Sequence, residues 1–189
     1  MKIGLYFGSF NPVHVGHLII ANHFIQYTEL QQVWMVVSPH NPLKNSASLL
    51  NENHRFHLVQ KALEGETKIK ASSVEFQLPR PSFTIDTLTY LQEKYPQHEF
   101  SVIMGSDSFQ NISKWKNYQV LLKNYKIYIY DRPGFPVSLG TEKNIQILQA
   151  PLLEISSTKI REMIKTGKSI RYLVPDEVAK EIITNNYYK

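Results

Sequence analysis

Two histidines three residues apart, His14 and His17, are the side chains in this sequence best placed to do chemistry. At that spacing two imidazoles share one face of a first helical turn and can meet the same phosphate. They follow an apolar segment, Lys2 to Phe7, and the loop Gly8-Ser9-Phe10-Asn11-Pro12, and they precede the helix-like run Leu18-Ile19-Ile20-Ala21. A helix N-terminus offers unpaired backbone N–H groups and a partial positive charge, and Gly8 would let the backbone come close to an anion. Pro12 has no N–H to give and ends the strand. One histidine in such a β–α turn reads equally well as a cap or a packed side chain. Two at this spacing, after a glycine-containing loop, point to a phosphate site.

The second polar constellation lies near the other end, in Ile155-Ser156-Ser157-Thr158-Lys159-Ile160-Arg161. Ser156 is placed to cap a helix, and Arg161, four residues after Ser157, falls on the same helical face. A third, Gly105-Ser106-Asp107, follows an apolar run directly; an aspartate there suits a sugar hydroxyl or an ordinary helix cap.

The elements that must hold these residues alternate between buried-strand runs and helical patterns, which predicts a parallel sheet with crossover helices. Val33–Val37, Phe100–Met104 and Lys126–Tyr130 are apolar or β-branched runs that stop at turn residues; Ile69–Phe76 and Ile145–Leu148 are further strands. Helices are expected over His14–Tyr27, Asn53–Leu63, Ile85–Lys94, around Val120–Leu122, over Thr158–Lys165 and over Asp176–Ile183, the last introduced by Pro175. The expectation is one doubly wound α/β domain over residues 1–189, binding ligands at the carboxyl ends of its strands. With 189 residues the chain can bury a core without disulfides, and having no cysteine it excludes thiolate metal sites and thiol nucleophiles. A net charge of +5 favours acidic ligands, but the basic residues are dispersed, which speaks against nucleic acid. No long apolar run or cleavable leader is read, so a cytoplasmic protein without a membrane partner is expected. A homo-oligomer is left open.

His14-Val15-Gly16-His17 resembles the (T/H)-x-G-H signature of the Rossmann-like nucleotidyltransferase superfamily, and Ile155 to Arg161 resembles its second signature, I-S-S-T-x-I-R. Pro39-His40-Asn41-Pro42-Leu43-Lys44 and Ser82-Phe83-Thr84-Ile85-Asp86-Thr87 are similar to segments of bacterial nicotinate-nucleotide adenylyltransferases. Phe7, Ser9 and Asn11 depart from the commonest residues of that family, and the G-S-F-N-P form is frequent in relatives that use the amide mononucleotide. The resemblance implies adenylyl transfer from ATP to nicotinate mononucleotide, with Mg²⁺ arriving on the ATP and no dedicated protein metal site.

It also implies roles. His17 would contact the α-phosphate and His14 the triphosphate, within an ATP site of Gly8, Ser9, Phe10, Gly105, Asp107, Ser156, Ser157, Thr158 and Arg161. Lys44 would neutralise phosphate oxygens, while Arg161 and Ser157 would hold the leaving pyrophosphate. Lys44, Thr84, Asp86 and Trp115 would meet the mononucleotide, its ring carboxylate received by backbone N–H groups near Ser82–Thr87 and Trp115. His23, His54, His57 and His98 are read as structural or surface residues, and Arg55 as a packing or ion-pair residue. The competing readings are transfer to the amide mononucleotide or to another phosphorylated acceptor such as phosphopantetheine, a nucleotide-binding regulator, and, last, a nucleic-acid-binding module.

Overall fold

The computed structural model describes residues 1–39, 48–138, 144–151 and 153–189. Six strands form one sheet: β1 (Lys2–Gly8), β2 (Gln32–Val37), β3 (Ile69–Ser72), β4 (Glu99–Gly105), β5 (Lys126–Tyr130) and β6 (Ile145–Leu148). They lie in the order β3-β2-β1-β4-β5-β6, and every neighbouring pair is parallel. Such strands are covered on both faces, which is why they read in the sequence as continuous apolar runs.

Successive side chains of a strand go to opposite faces, and the two cores follow that period of two. Tyr6, Met35, Val37, Ile103 and Tyr128 pack on one face against α1 (Val15–Tyr27), α2 (Glu52–Ala62), α6 (Ser157–Lys165) and α7 (Asp176–Thr184). Leu5, Val36, Val102, Met104 and Ile127 pack on the other against α3 (Thr84–Lys94) and α5 (Tyr118–Asn124). The strand order reverses between β1 and β4, so the crevice outside their carboxyl ends, at Gly8 and Gly105, is where this topology places a ligand. Among the described residues no helix is long and apolar enough to cross a membrane.

Two local differences from the sequence reading matter for the site. The run Ile69–Phe76 is strand only to Ser72; Val74–Gln77 then turns as 3₁₀ helix, which buries the Glu75 carboxyl beneath α3, where Thr87 Oγ1 donates to it. After β4 the chain enters a one-turn helix, α4 (Ser106–Phe109), and a 3₁₀ turn at Ile112–Lys114, both too short to leave a periodic signal.

Candidate active site

His14 is the residue before α1, in extended conformation, and its backbone N–H donates to His17 Nδ1 at 3.2 Å. An Nδ1 that accepts from an amide carries no proton, so the His17 proton sits on Nε2. The two rings stack with centroids 3.7 Å apart. Gly16 is required by this stack: a Cβ there would lie 3.1 Å from His14 Nδ1. Tyr6 and Phe10 flank His17, Phe10 edge-on at 5.1 Å. Burial first, and the Arg132 guanidinium second, lower the His14 pKa to about 4, so this imidazole is neutral at pH 7.

Gly8 also has a packing role. Its open face is filled by the ring of Phe10, which has a positive φ of 44° and would stand 2.8 Å from a Cβ at position 8. The glycine therefore admits Phe10, and its backbone lines the crevice as well.

Helix α6 is stapled onto this loop. Ser156 caps it by accepting from Lys159 N, Ser157 Oγ donates to the Pro12 carbonyl at 2.9 Å, and Arg161 Nη1 donates to the Asn11 carbonyl at 2.8 Å. Arg161 Nη2 reaches Thr158 Oγ1 at 3.3 Å. Asn11 in turn holds the segment after residue 47, through Ser48 O and Leu50 N. Arg55, wholly buried, gathers four carbonyls: Leu50 at 2.7 Å, Ser9 at 2.6 Å, Ser38 at 2.8 Å and Pro39 at 2.8 Å. Of the two roles read for Arg55, packing stands; its hydrogen bonds go to backbone and none of the ion pairs among the described residues includes it.

Two adjoining cavities open at the β1–β4 crevice and share Tyr6, Phe7, Gly8, Ser9, Ser108 and Tyr130. The larger, of about 860 Å³, is lined by Gly8, Ser9, Phe10, His14, His17, Asp107, Ser156, Ser157, Thr158 and Arg161. The smaller, of about 300 Å³, is lined by Thr84 and Trp115. Gly105, expected with the first group, lines the second cavity, where its lack of a Cβ makes room for Asp107 and Tyr130. Asp86 is absent from both walls and takes Lys116 Nζ at 2.8 Å. Lys44 lies outside the described residues.

Sequence reading missed Arg132, Phe135 and Leu153 in the larger cavity and Glu75, Lys114 and Lys116 in the smaller. Arg132 binds Asp107 Oδ2 at 2.7 Å. Its place at the carboxyl end of β5 was the signal available; Glu75 gave none. Buried polar atoms normally find partners. Among the described residues those that do not are His14 Nδ1, Asp107 Oδ1, Glu75 Oε2 and Tyr188 OH, and the first three belong to cavity walls. Helix α3 also begins at the smaller cavity without a side-chain cap, since its N-cap residue is Phe83, so its first N–H groups face an anion-receptive end.

The cytidylyltransferase-like family model matches residues 5–163. The chain is 53% identical over 192 residues to a probable nicotinate-nucleotide adenylyltransferase of Flavobacterium johnsoniae, covering 100% of both, and 52% identical over 189 residues to one of Cytophaga hutchinsonii, covering 100% of this chain and 98% of the relative. Its fold matches a Plasmodium falciparum nicotinic acid mononucleotide adenylyltransferase complexed with NaAD, with a TM-score of 0.83 at 20% identity over 99% of this chain and 97% of that one. The chain thus belongs to the cytidylyltransferase-like family, among the nicotinate-nucleotide adenylyltransferases.

Proposed function

We propose that this enzyme transfers the adenylyl group of ATP to nicotinate mononucleotide, giving deamido-NAD and pyrophosphate. The observation that carries the reading is the pair of cavities meeting at Tyr6–Ser9: one is lined by histidine, hydroxyl and guanidinium groups of the kinds that suit phosphate, the other by Trp115 and the open start of α3. Two substrates held there would meet at the shared wall. A phosphate oxygen of the mononucleotide attacks the α-phosphorus of ATP in line, the new P–O bond forms as the bond to the bridging oxygen breaks, and pyrophosphate leaves. No covalent enzyme intermediate is needed, so catalysis is positioning and charge stabilisation.

In this reading His17 Nε2–H donates to the α-phosphate as charge builds, and neutral His14 supports the triphosphate from beside it. Ser156 to Thr158 and Arg161 receive the departing pyrophosphate; Lys44 adds positive charge. Arg161 and Ser157 hold loop carbonyls without ligand, so they meet phosphate by exchanging partners. ATP enters as its magnesium complex. Its ligands would be phosphate oxygens and water; among the described residues no group of three or more His, Asp or Glu is arranged to hold a metal. The larger cavity also carries Arg132, Phe135 and Leu153, which suit the adenosine end. We take residues 1–189 as one nucleotidyltransferase domain working in the cytoplasm, with ATP and the acid mononucleotide as its partners and no nucleic acid or membrane involved.

The test is pyrophosphate release with ATP·Mg²⁺ and a panel of phosphorylated acceptors. Release with a pyridine mononucleotide is the expected result. Release only with phosphopantetheine would move the reading to another acceptor, and nucleotide binding without release in any combination would leave the regulator reading.

A further inference from the structure

Glu75 is the polar residue of the smaller cavity that adenylyl transfer leaves without a task. It is 2% exposed, and the 3₁₀ turn after β3 brings it to the wall of that cavity. Its Oε1 accepts from Thr87 Oγ1 of α3 at 3.0 Å, while Oε2 is buried with no hydrogen-bond partner among the described residues. A buried carboxyl oxygen without a partner is costly, and one beside a ligand cavity marks where a ligand group belongs. The hydroxyls of Ser38 and Ser82 also act on the carboxyl and hold its pKa down, while the geometry leaves Oε2 itself unpaired among the described residues.

The other charged groups around this cavity are already engaged. Lys116 pairs with Asp86, and Lys114 Nζ donates to Asn111 Oδ1 at 2.8 Å. Tyr6 and Tyr130, on the shared wall, are held neutral by burial, which raises both of their pKa values. No ion pair among the described residues reaches Glu75. Burial raises the pKa of Glu75 above the ordinary glutamate value, against the opposing hydroxyls of Ser38, Thr87 and Ser82.

We propose that Glu75 reads the charge of the acceptor ring's substituent: when the acid mononucleotide binds, Oε2 takes one proton from solvent and donates it as a hydrogen bond to the ring carboxylate. The physical reason is that two carboxylates brought together away from water do not both stay ionised. The ligand's carboxylate is held by the open N-terminus of α3, so the proton goes to Glu75. With the amide acceptor no second carboxylate is present to force a proton onto Glu75, and none is taken up. Above the pKa of Glu75 in the free enzyme, each further pH unit therefore weakens the acid relative to the amide by up to about tenfold. This inference rests on the adenylyl-transfer reading.

The experiment is calorimetric titration of the full-length protein with each mononucleotide at pH 8, in two buffers of different ionisation enthalpy and with a non-hydrolysable ATP analogue present. The acceptors share the phosphate, so its own protonation cancels in the difference. The expected result is that the acid takes up about one more proton per site than the amide. In Glu75→Gln, which is neutral at every pH, both acceptors still bind and the difference vanishes. Equal uptake for the two acceptors in the native protein, or a difference that persists in Glu75→Gln, overturns the inference alone. Binding of neither acceptor strikes the adenylyl-transfer reading and the inference with it. Should Glu75→Gln fail to fold, the native protein decides: the acid-to-amide ratio of kcat/KM falls with pH if the inference holds, and a flat ratio overturns it.

Discussion

The proton of His17 is placed by a backbone amide: the His14 N–H occupies Nδ1, which puts the ring N–H at Nε2. A donor fixed in this way needs no reorganisation as charge develops, and it costs dearly to remove. His17→Ala should lower kcat by roughly 10²–10⁴, about 3–5 kcal/mol of transition-state stabilisation, with little change in thermal midpoint. His14→Ala should hurt less, and near-normal turnover in the His17 variant would remove it from the mechanism. Gly16→Ala tests the stack between them. A Cβ at 3.1 Å from His14 Nδ1 must push the ring by a few tenths of an ångström, which should cost about tenfold in kcat while the protein stays folded. A Gly16→Ala enzyme with native kcat would show that the position of the His14 ring is immaterial.

At the scale of elements the site is assembled by long-range backbone contacts. Arg55 of α2 holds the carbonyls of Ser9, Ser38, Pro39 and Leu50, so it ties the loop after β1 to the end of β2 and the start of α2. Lysine cannot reproduce a planar fork with three nitrogens in use. Arg55→Lys should leave buried carbonyls unpaired and destabilise by at least about 3 kcal/mol, a drop of roughly 6–12 °C in thermal midpoint for a chain of this size. A thermal midpoint within a degree of native would mean these carbonyls find water instead. This arginine shows where the sequence stops being legible. Its first contact, Ser9, is 46 residues away and offers only a carbonyl, which every residue has. The strands, by contrast, were readable because both faces are buried, and the His14–His17 and Ser156–Arg161 groups because their spacing is local. Glu75 was hidden because the run Ile69–Phe76 reads as a strand of one kind to its end, and only packing under α3 turns it at Ser72.

For the whole molecule, the strand order puts the two cavities side by side at the reversal between β1 and β4, and the proposed reaction would use one for each substrate. Burying the site has a price in acid. An unfolded histidine binds its proton near pH 6.5, whereas folded His14 does so only near pH 4, so between these values the unfolded state holds more protons. Stability from this group is complete above pH 6.5 and is lost as pH falls towards 4, by roughly 2–3 kcal/mol at pH 4.5. Urea midpoints at pH 7 and 4.5 should show that loss, and His14→Ala should show it reduced; the same pH dependence in both proteins would place the acid sensitivity elsewhere.

The identity of the acceptor is decided by comparing kcat/KM for nicotinate and nicotinamide mononucleotides at pH 7 and one ATP concentration. Helix α3 starts uncapped at the smaller cavity, so its N–H groups meet a carboxylate well and leave an amide's NH₂ facing donors. Losing one or two charge-assisted hydrogen bonds at about 1.5–3 kcal/mol each gives roughly 10–10⁴-fold discrimination in favour of the acid. That preference is the predicted result; equal values, or a preference for the amide, would contradict the account.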